Sequence, residues 1–170
     1  MNTIRKATPS DIPAIRKMAD TVFLHTYRDI LIPQQMEYMM EWMYSEESLH
    51  EQMETLGHQY FILSVEGSDA GYVSFNIEEE DDTRILFHMQ KIYLLPELQG
   101  RGFGAQLLKH AEVCMKASGG AKAVRYELNV NRNNRAVSFY ERMGLYKDRE
   151  GDFPIGGGFY MNDYIMTKEL

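Results

Sequence analysis

Cysteine occurs once in this chain of 170 residues, at Cys114, so no internal disulfide can brace the fold. In the helical context of residues 105–117 it reads as a small buried residue. No apolar run reaches the length of a membrane span. The opening Met1-Asn2-Thr3-Ile4-Arg5-Lys6 lacks the apolar segment of a secretory signal. The expectation is a cytoplasmic protein with no membrane partner. No repeat, low-complexity tract or linker interrupts the chain, so residues 1–170 are expected to form one domain, large enough for a real core. No His, Cys or Asp spacing suggests a metal, and no Ser-His-acid order stands out.

Basic residues are missing from a long stretch. Between Asp29 and Thr83 there is no Lys or Arg, against fourteen Asp and Glu. From Arg84 onward thirteen Lys and Arg face nine Asp and Glu, and the net charge is −7. Such asymmetry implies two poles with different partners. The acidic half argues against nucleic acid. It fits either a solvated face, including the loop Glu78-Glu79-Glu80-Asp81-Asp82, or a surface that attracts cations.

Periodicity supports a mixed α/β chain. A strand is expected over Asn2–Ala7. Thr8-Pro9-Ser10-Asp11 opens a helix whose stripe is Ile12, Ile15, Met18, Ala19, Val22 and Phe23. A second helical stretch runs from Pro33 through Met36, Met39, Met40 and Met43 to Leu49 and Met53. Gln59–Val65 and Ala70–Ile77 read as a hairpin. Arg84–Leu95 reads as a long strand, Ala105–Ala117 as a helix closed by Gly119-Gly120, and Ala123–Val130 as another strand. A short helix over Asn133–Met143 has Asn133 as its cap and Gly144 at its end. Tyr146–Arg149 and Phe159–Thr167 make a last strand pair around Gly156-Gly157-Gly158.

The densest signal is Gln99-Gly100-Arg101-Gly102-Phe103-Gly104, between a strand and a helix. The first N–H groups of a helix have no internal partners and carry the positive end of its dipole, so they suit an anion. Glycines let a phosphate approach the main chain. A P-loop would need Lys and Ser or Thr after the last glycine, where Ala105-Gln106 stands. The alternating glycines also miss the G-x-G-x-x-G spacing of dinucleotide folds. Downstream lies Asn133-Asn134-Arg135-Ala136-Val137-Ser138-Phe139-Tyr140-Glu141-Arg142-Met143-Gly144-Leu145. Phe139 there reads as core, whereas the Tyr140 hydroxyl needs a partner if buried.

The two segments together resemble the GNAT superfamily of acyl-CoA-dependent N-acetyltransferases. Gln99, Gly102 and Gly104 fill its pyrophosphate loop, Q/R-x-x-G-x-G/A. Asn133, Ala136, Phe139, Tyr140 and Gly144 fill its N-x-x-A-x-x-F/L-Y-x-x-x-G-F motif, with Leu145 in place of the last Phe. More loosely, Thr21-Val22-Phe23 with Thr26-Tyr27, Gly71-Tyr72-Val73 and Asp163-Tyr164-Ile165-Met166 look like the bacterial spermidine/spermine N-acetyltransferase (PaiA-type) branch. The resemblance implies a single-domain GNAT fold with about four helices. Its sheet would be mostly antiparallel, with the fourth and fifth strands splayed apart.

It further implies acetyl-CoA as cosubstrate. Main-chain groups of Ile92 and Leu94 would hold the pantetheine arm as an added strand would, and the Ile92 N–H would face the thioester carbonyl. Arg101, Gly102, Phe103, Gly104 and Ala105 would bind the pyrophosphate through main-chain N–H groups, with Gln99, Gly100, Asn133 and Phe139 completing the cofactor set. Tyr140 is the candidate general acid, since a phenol holds its proton to about pH 10. His88 stands eleven residues before Gln99, where many relatives carry the Glu that acts as general base; an imidazole titrating near about 6.5 can accept a proton or orient a water. Water relayed from Glu78, Glu79 or Glu127 is the alternative. His25 and Tyr27 would lie beside the acceptor groove. The expected activity is acetyl transfer to a primary amine of a small cationic acceptor such as a polyamine. Open alternatives are a protein N-terminus, a lysine, an amino acid, or a non-catalytic acyl-CoA-binding module. A homodimer is left open.

Overall fold

The structure is a computed structural model describing residues 1–170. Its strands are β1 (Asn2–Lys6), β2 (Gln59–Val65), β3 (Ser68–Glu80), β4 (Arg84–Leu94), β5 (Ala123–Asn131), β6 (Tyr146–Gly156) and β7 (Phe159–Glu169). They form one sheet in the order β1-β2-β3-β4-β5-β7-β6. Every neighbouring pair is antiparallel except β4 with β5. The helices are α1 (Ile12–Tyr27), α2 (Pro33–Tyr44), α3 (Glu46–Glu54), α4 (Phe103–Gly119) and α5 (Ala136–Arg142). No helix is long and apolar enough to cross a membrane.

The stretch after Pro33, read from sequence as one helix, is two. Ser45 adopts an extended backbone and its hydroxyl accepts from the Ser48 N–H at 3.1 Å, capping α3. A serine oxygen competing for backbone donors favours such a cap over a helix interior. The β2–β3 turn is tighter than expected. Glu66 and Gly67 both take positive φ, 50° and 81°, as a two-residue hairpin of this hand requires. Asn133 does not cap α5, which starts at Ala136. Asn134 Oδ1 accepts from the Ala136 N–H at 2.9 Å instead. The last strand pair is longer than the sequence suggested. Cys114 is half-buried, with Sγ 3.6 Å from His110 Nε2.

Apolar side chains pack on both sheet faces. Phe75, Phe87, Leu107, Leu108, Met115, Tyr126 and Tyr140 belong to the core under α4 and α5. Ile15, Val22, Phe23, Tyr44, Leu49, Ile62 and Tyr72 belong to the core under α1, α2 and α3. One cation is sealed into the second core. Lys91 Nζ donates to Met43 O at 3.1 Å, Gln52 Oε1 at 3.0 Å and Tyr60 Oη at 2.7 Å, and lies 4.2 Å from the centre of the Tyr44 ring. No carboxylate pairs with it. It ties the end of α2 and the body of α3 to β4.

Burial lowers the Lys91 pKa to about 7, from 10.5 in the open chain. Between those values the unfolded chain binds more protons than the folded one. Stability therefore rises as pH increases from about 7 towards 10.5, and is lost on the way down. One proton sets a slope of at most about 1.4 kcal/mol per pH unit. Urea unfolding of Lys91→Met across this range should give a flatter pH profile than the unaltered chain; equal slopes would refute the assignment.

Candidate active site between the fourth and fifth strands

The parallel ladder of β4 and β5 runs from Arg84↔Ala123 to His88↔Glu127 and stops there. Both strands continue, β4 to Leu94 and β5 to Asn131. The break coincides with a bulge. Ser74 pairs with Lys91 and Phe75 with Met89, which leaves Gln90 unmatched. An extra residue reverses the alternation of side chains beyond it. Lys91 and Tyr93 thus turn toward α1–α3, while Ile92 and Leu94 pack on the α4 side. Gly71 keeps the end of β4 on β3, because a Cβ there would lie 2.5 Å from Tyr93 O. The other edge of residues 89–94 faces β5 with no ladder.

The glycine turn opens onto the same gap. Gly100 and Gly102 have φ of 75° and 84°, which side-chain-bearing residues rarely adopt. A Cβ on either would meet no protein atom within 4 Å, so the space outside them is open. The first bond closing α4 runs from the Gln106 N–H to Gly102 O at 3.2 Å. The N–H groups of Phe103, Gly104 and Ala105 have no acceptor within the protein. Gly104 serves packing: a Cβ there would lie 3.4 Å from the Phe139 ring, so the glycine sets how closely α4 and α5 approach. Arg101 is exposed, its guanidinium 5.1 Å from the centre of the Phe103 ring. The Gln99 side-chain amide donates to Leu94 O at 3.4 Å.

Across the gap, Asn133 is exposed in the turn before α5, and its N–H donates to Asn131 Oδ1 at 2.9 Å. Tyr140 is buried, its ring against Phe139, and its hydroxyl has no partner in the protein. Burial, and then the nearby Tyr27, push its pKa well above that of a free phenol. The Tyr27 and Tyr93 hydroxyls are 3.3 Å apart. His25, by contrast, is exposed to solvent.

His88 occupies the last rung of the ladder. Its Nδ1 lies 3.3 Å from Glu78 Oε2 and 3.9 Å from Glu127 Oε1. Glu127 is buried and bonded through both oxygens to Arg149 at 3.2 Å. The ligand atoms of Glu78, His88 and Glu127 all fall within 4.8 Å of one another. The sequence offered Glu78 and Glu127 only as alternatives to His88; that the three meet is decided by the pairing of β3, β4 and β5. The roles of Lys91 and Arg149 were invisible in the sequence, since neither stands in a motif.

An oxyanion-friendly helix end, an unpaired strand edge and a protonated tyrosine hydroxyl thus converge on one opening. The acetyltransferase (GNAT) domain model matches residues 57–145, which include the glycine turn, His88 and Tyr140. The chain belongs to the GNAT acetyltransferase family. An uncharacterized N-acetyltransferase encoded in the pepI 3′ region of Lactobacillus delbrueckii subsp. lactis is 26% identical, over 98% of this chain and 96% of its own. The fold is similar to that of the PaiA N-acetyltransferase of Thermoplasma acidophilum in complex with coenzyme A, at a TM-score of 0.78 and 23% identity, covering 100% and 99% of the two chains. It is also similar to a GCN5-related N-acetyltransferase of Rhodopseudomonas palustris, at a TM-score of 0.79 and 19% identity, covering 100% and 96%. The chain is therefore a GNAT N-acetyltransferase with the architecture expected from sequence. Its helices number five because of the Ser45 break.

Gly102 offers a direct test of the anion cradle. Gly102→Val adds a side chain in the open space and forces a strained φ. The acetyl-CoA dissociation constant, measured by calorimetry, should rise severalfold or more; an unchanged constant would remove the turn from the cofactor site.

Proposed function

We propose that this GNAT chain acts as one domain that transfers the acetyl group of acetyl-CoA directly to a primary amine of a small cationic acceptor such as a polyamine. The observation that carries the reading is the single opening flanked by the free N–H groups of α4 and by the Tyr140 hydroxyl. The pyrophosphate would lie on residues 101–105, where dipole and free donors favour negative charge. The pantetheine arm would run along Ile92 and Leu94, capped by Asn133, with Phe139 beneath. That the similar PaiA structure holds coenzyme A supports this cofactor.

The amine attacks the thioester carbon, and negative charge grows on the carbonyl oxygen opposite the Ile92 N–H. Collapse breaks the C–S bond. Tyr140 donates its proton to the departing sulfur, giving the amide and free coenzyme A. Its raised pKa keeps that proton in place until thiolate charge develops beside it. The proton lost by the amine passes to His88, directly or through water, and the Glu78 and Glu127 carboxylates lie 3.3 and 3.9 Å from its Nδ1. The carboxylates beside His88 and the cation-free stretch from Asp29 to Thr83 favour a positively charged acceptor.

Tyr140→Phe removes only a hydroxyl. Its kcat should fall by about 10²–10⁴ while acetyl-CoA binding stays nearly intact; rates within threefold of the unaltered chain would exclude Tyr140 as the acid. The acceptor class is tested with salt. Spermidine should show a higher kcat/KM than a lysine peptide or an aminoglycoside at about 0.1 M ionic strength. That advantage should shrink toward about 1 M, where the Debye length falls from about 10 Å to 3 Å. A salt-independent rate, or spermidine as the poorest acceptor, would refute the polyamine reading.

A further inference from the structure

Asp163 is a buried carboxylate that the fold leaves half unpartnered. The residue is 4% exposed. Its Oδ2 accepts from Asn129 Nδ2 at 3.2 Å, while Oδ1 is buried and has no hydrogen-bond partner. No cation forms an ion pair with it. Arg132 is close enough to pull its pKa down; its Nη2 donates to Gly151 O at 3.2 Å and to the Asp152 carboxylate, and its Nε is buried without a partner, but no Arg132 nitrogen forms an ion pair with Asp163. Burial outweighs that pull and pushes the carboxyl upward. A buried polar atom without a partner is costly, and a buried charge more so. Such an atom calls for an explanation.

Its position supplies one. Asp163 pairs with Asn131, at the end of β5 and beyond the last rung between β4 and β5. Along β7 it stands four residues before Thr167, the partner of Glu127, so both acids project from the same face of the sheet. Asn129, which holds Oδ2, is itself exposed on that face. The Asp163 charge also reaches the Tyr27 hydroxyl and helps to raise its pKa; Tyr27 in turn bonds Tyr93 and bears on Tyr140. Asp163 thus stands at the end of β5, four residues along the sheet beyond the rung of His88 and Glu127.

We propose that Asp163 receives an ammonium group of the acceptor and so determines that a cationic acceptor is used. The proposal rests on the reading of the chain as an amine acetyltransferase. An ammonium N–H directed at Oδ1 satisfies the unpaired acceptor and neutralises the buried charge in one contact. A neutral acceptor without a donor leaves both costs standing, and an anionic one adds like-charge repulsion. The preference is therefore written into one buried side chain as well as into the field of the acidic stretch.

Asp163→Asn keeps the shape and an oxygen for Asn129, and removes the charge. Spermidine affinity is measured by calorimetry on the chain saturated with coenzyme A, and spermidine kinetics with acetyl-CoA. The substitution should raise both the spermidine dissociation constant and KM fivefold or more. Coenzyme A affinity should stay within twofold, and the Tm should hold or increase, because no buried charge remains. A spermidine effect below fivefold overturns the proposal. So does a fall in Tm accompanied by loss of coenzyme A affinity, which would mark Asp163 as structural. The underlying reading fails separately: it is lost if the unaltered chain acetylates no amine, whereas only the Asp163 assignment is lost if both chains acetylate spermidine alike.

Discussion

The structure depends on one broken ladder. β4 and β5 are the only parallel neighbours in the sheet, and they pair for five rungs before parting after His88 and Glu127. A sheet that leaves main-chain donors and acceptors unpaired in its middle gives up the hydrogen bonds that normally offset their burial. Here the opening is built in by the bulge at Gln90 and the close approach that Gly71 allows between β3 and β4. The free edge, the free N–H groups of α4 and the Tyr140 hydroxyl all face it. Each is an unsatisfied group in the protein alone.

Electrostatics around the opening follow from burial. The hydroxyls of Tyr27, Tyr93 and Tyr140 are held protonated chiefly by desolvation, and the nearby Tyr27 adds to the effect on Tyr93 and Tyr140. On the α1–α3 face that also carries Tyr27 and Tyr93, Lys91 is driven toward neutrality for the same reason, with carbonyl, amide and hydroxyl oxygens around it in place of a carboxylate. The fold thus buries a lysine to fix α2 and α3 against β4. Those helices carry many of the acids that give the Asp29–Thr83 stretch its sign. The acidic surface and the strand that borders the opening are mechanically joined through that one side chain.

Much of this was legible in the sequence, because local rules govern it. Strand and helix periods, the positive-φ glycines of the turn before α4 and the amphipathic segment ending at Gly144 are set by neighbouring residues, so their positions could be read directly. The order of the two motifs also sufficed to identify the family. Element boundaries were lost where local chemistry was ambiguous. Ser45 could continue a helix or cap a new one, and either Asn133 or Asn134 could start α5.

The sequence by itself determined an α/β chain with an anion cradle before one helix, a tyrosine on the next, and an acidic stretch without cations. Only the tertiary structure decided what those parts meet. His88 with Glu78 and Glu127, Lys91 with Gln52 and Tyr60, and Asp163 with Asn129 are far apart along the chain and adjacent across strands or layers. Their partners are set by strand order, register and a bulge that reverses which face a side chain occupies. Spacing along the chain carries no record of those long-range choices, so neither the burial of Asp163 nor the company of His88 could be read from residue order.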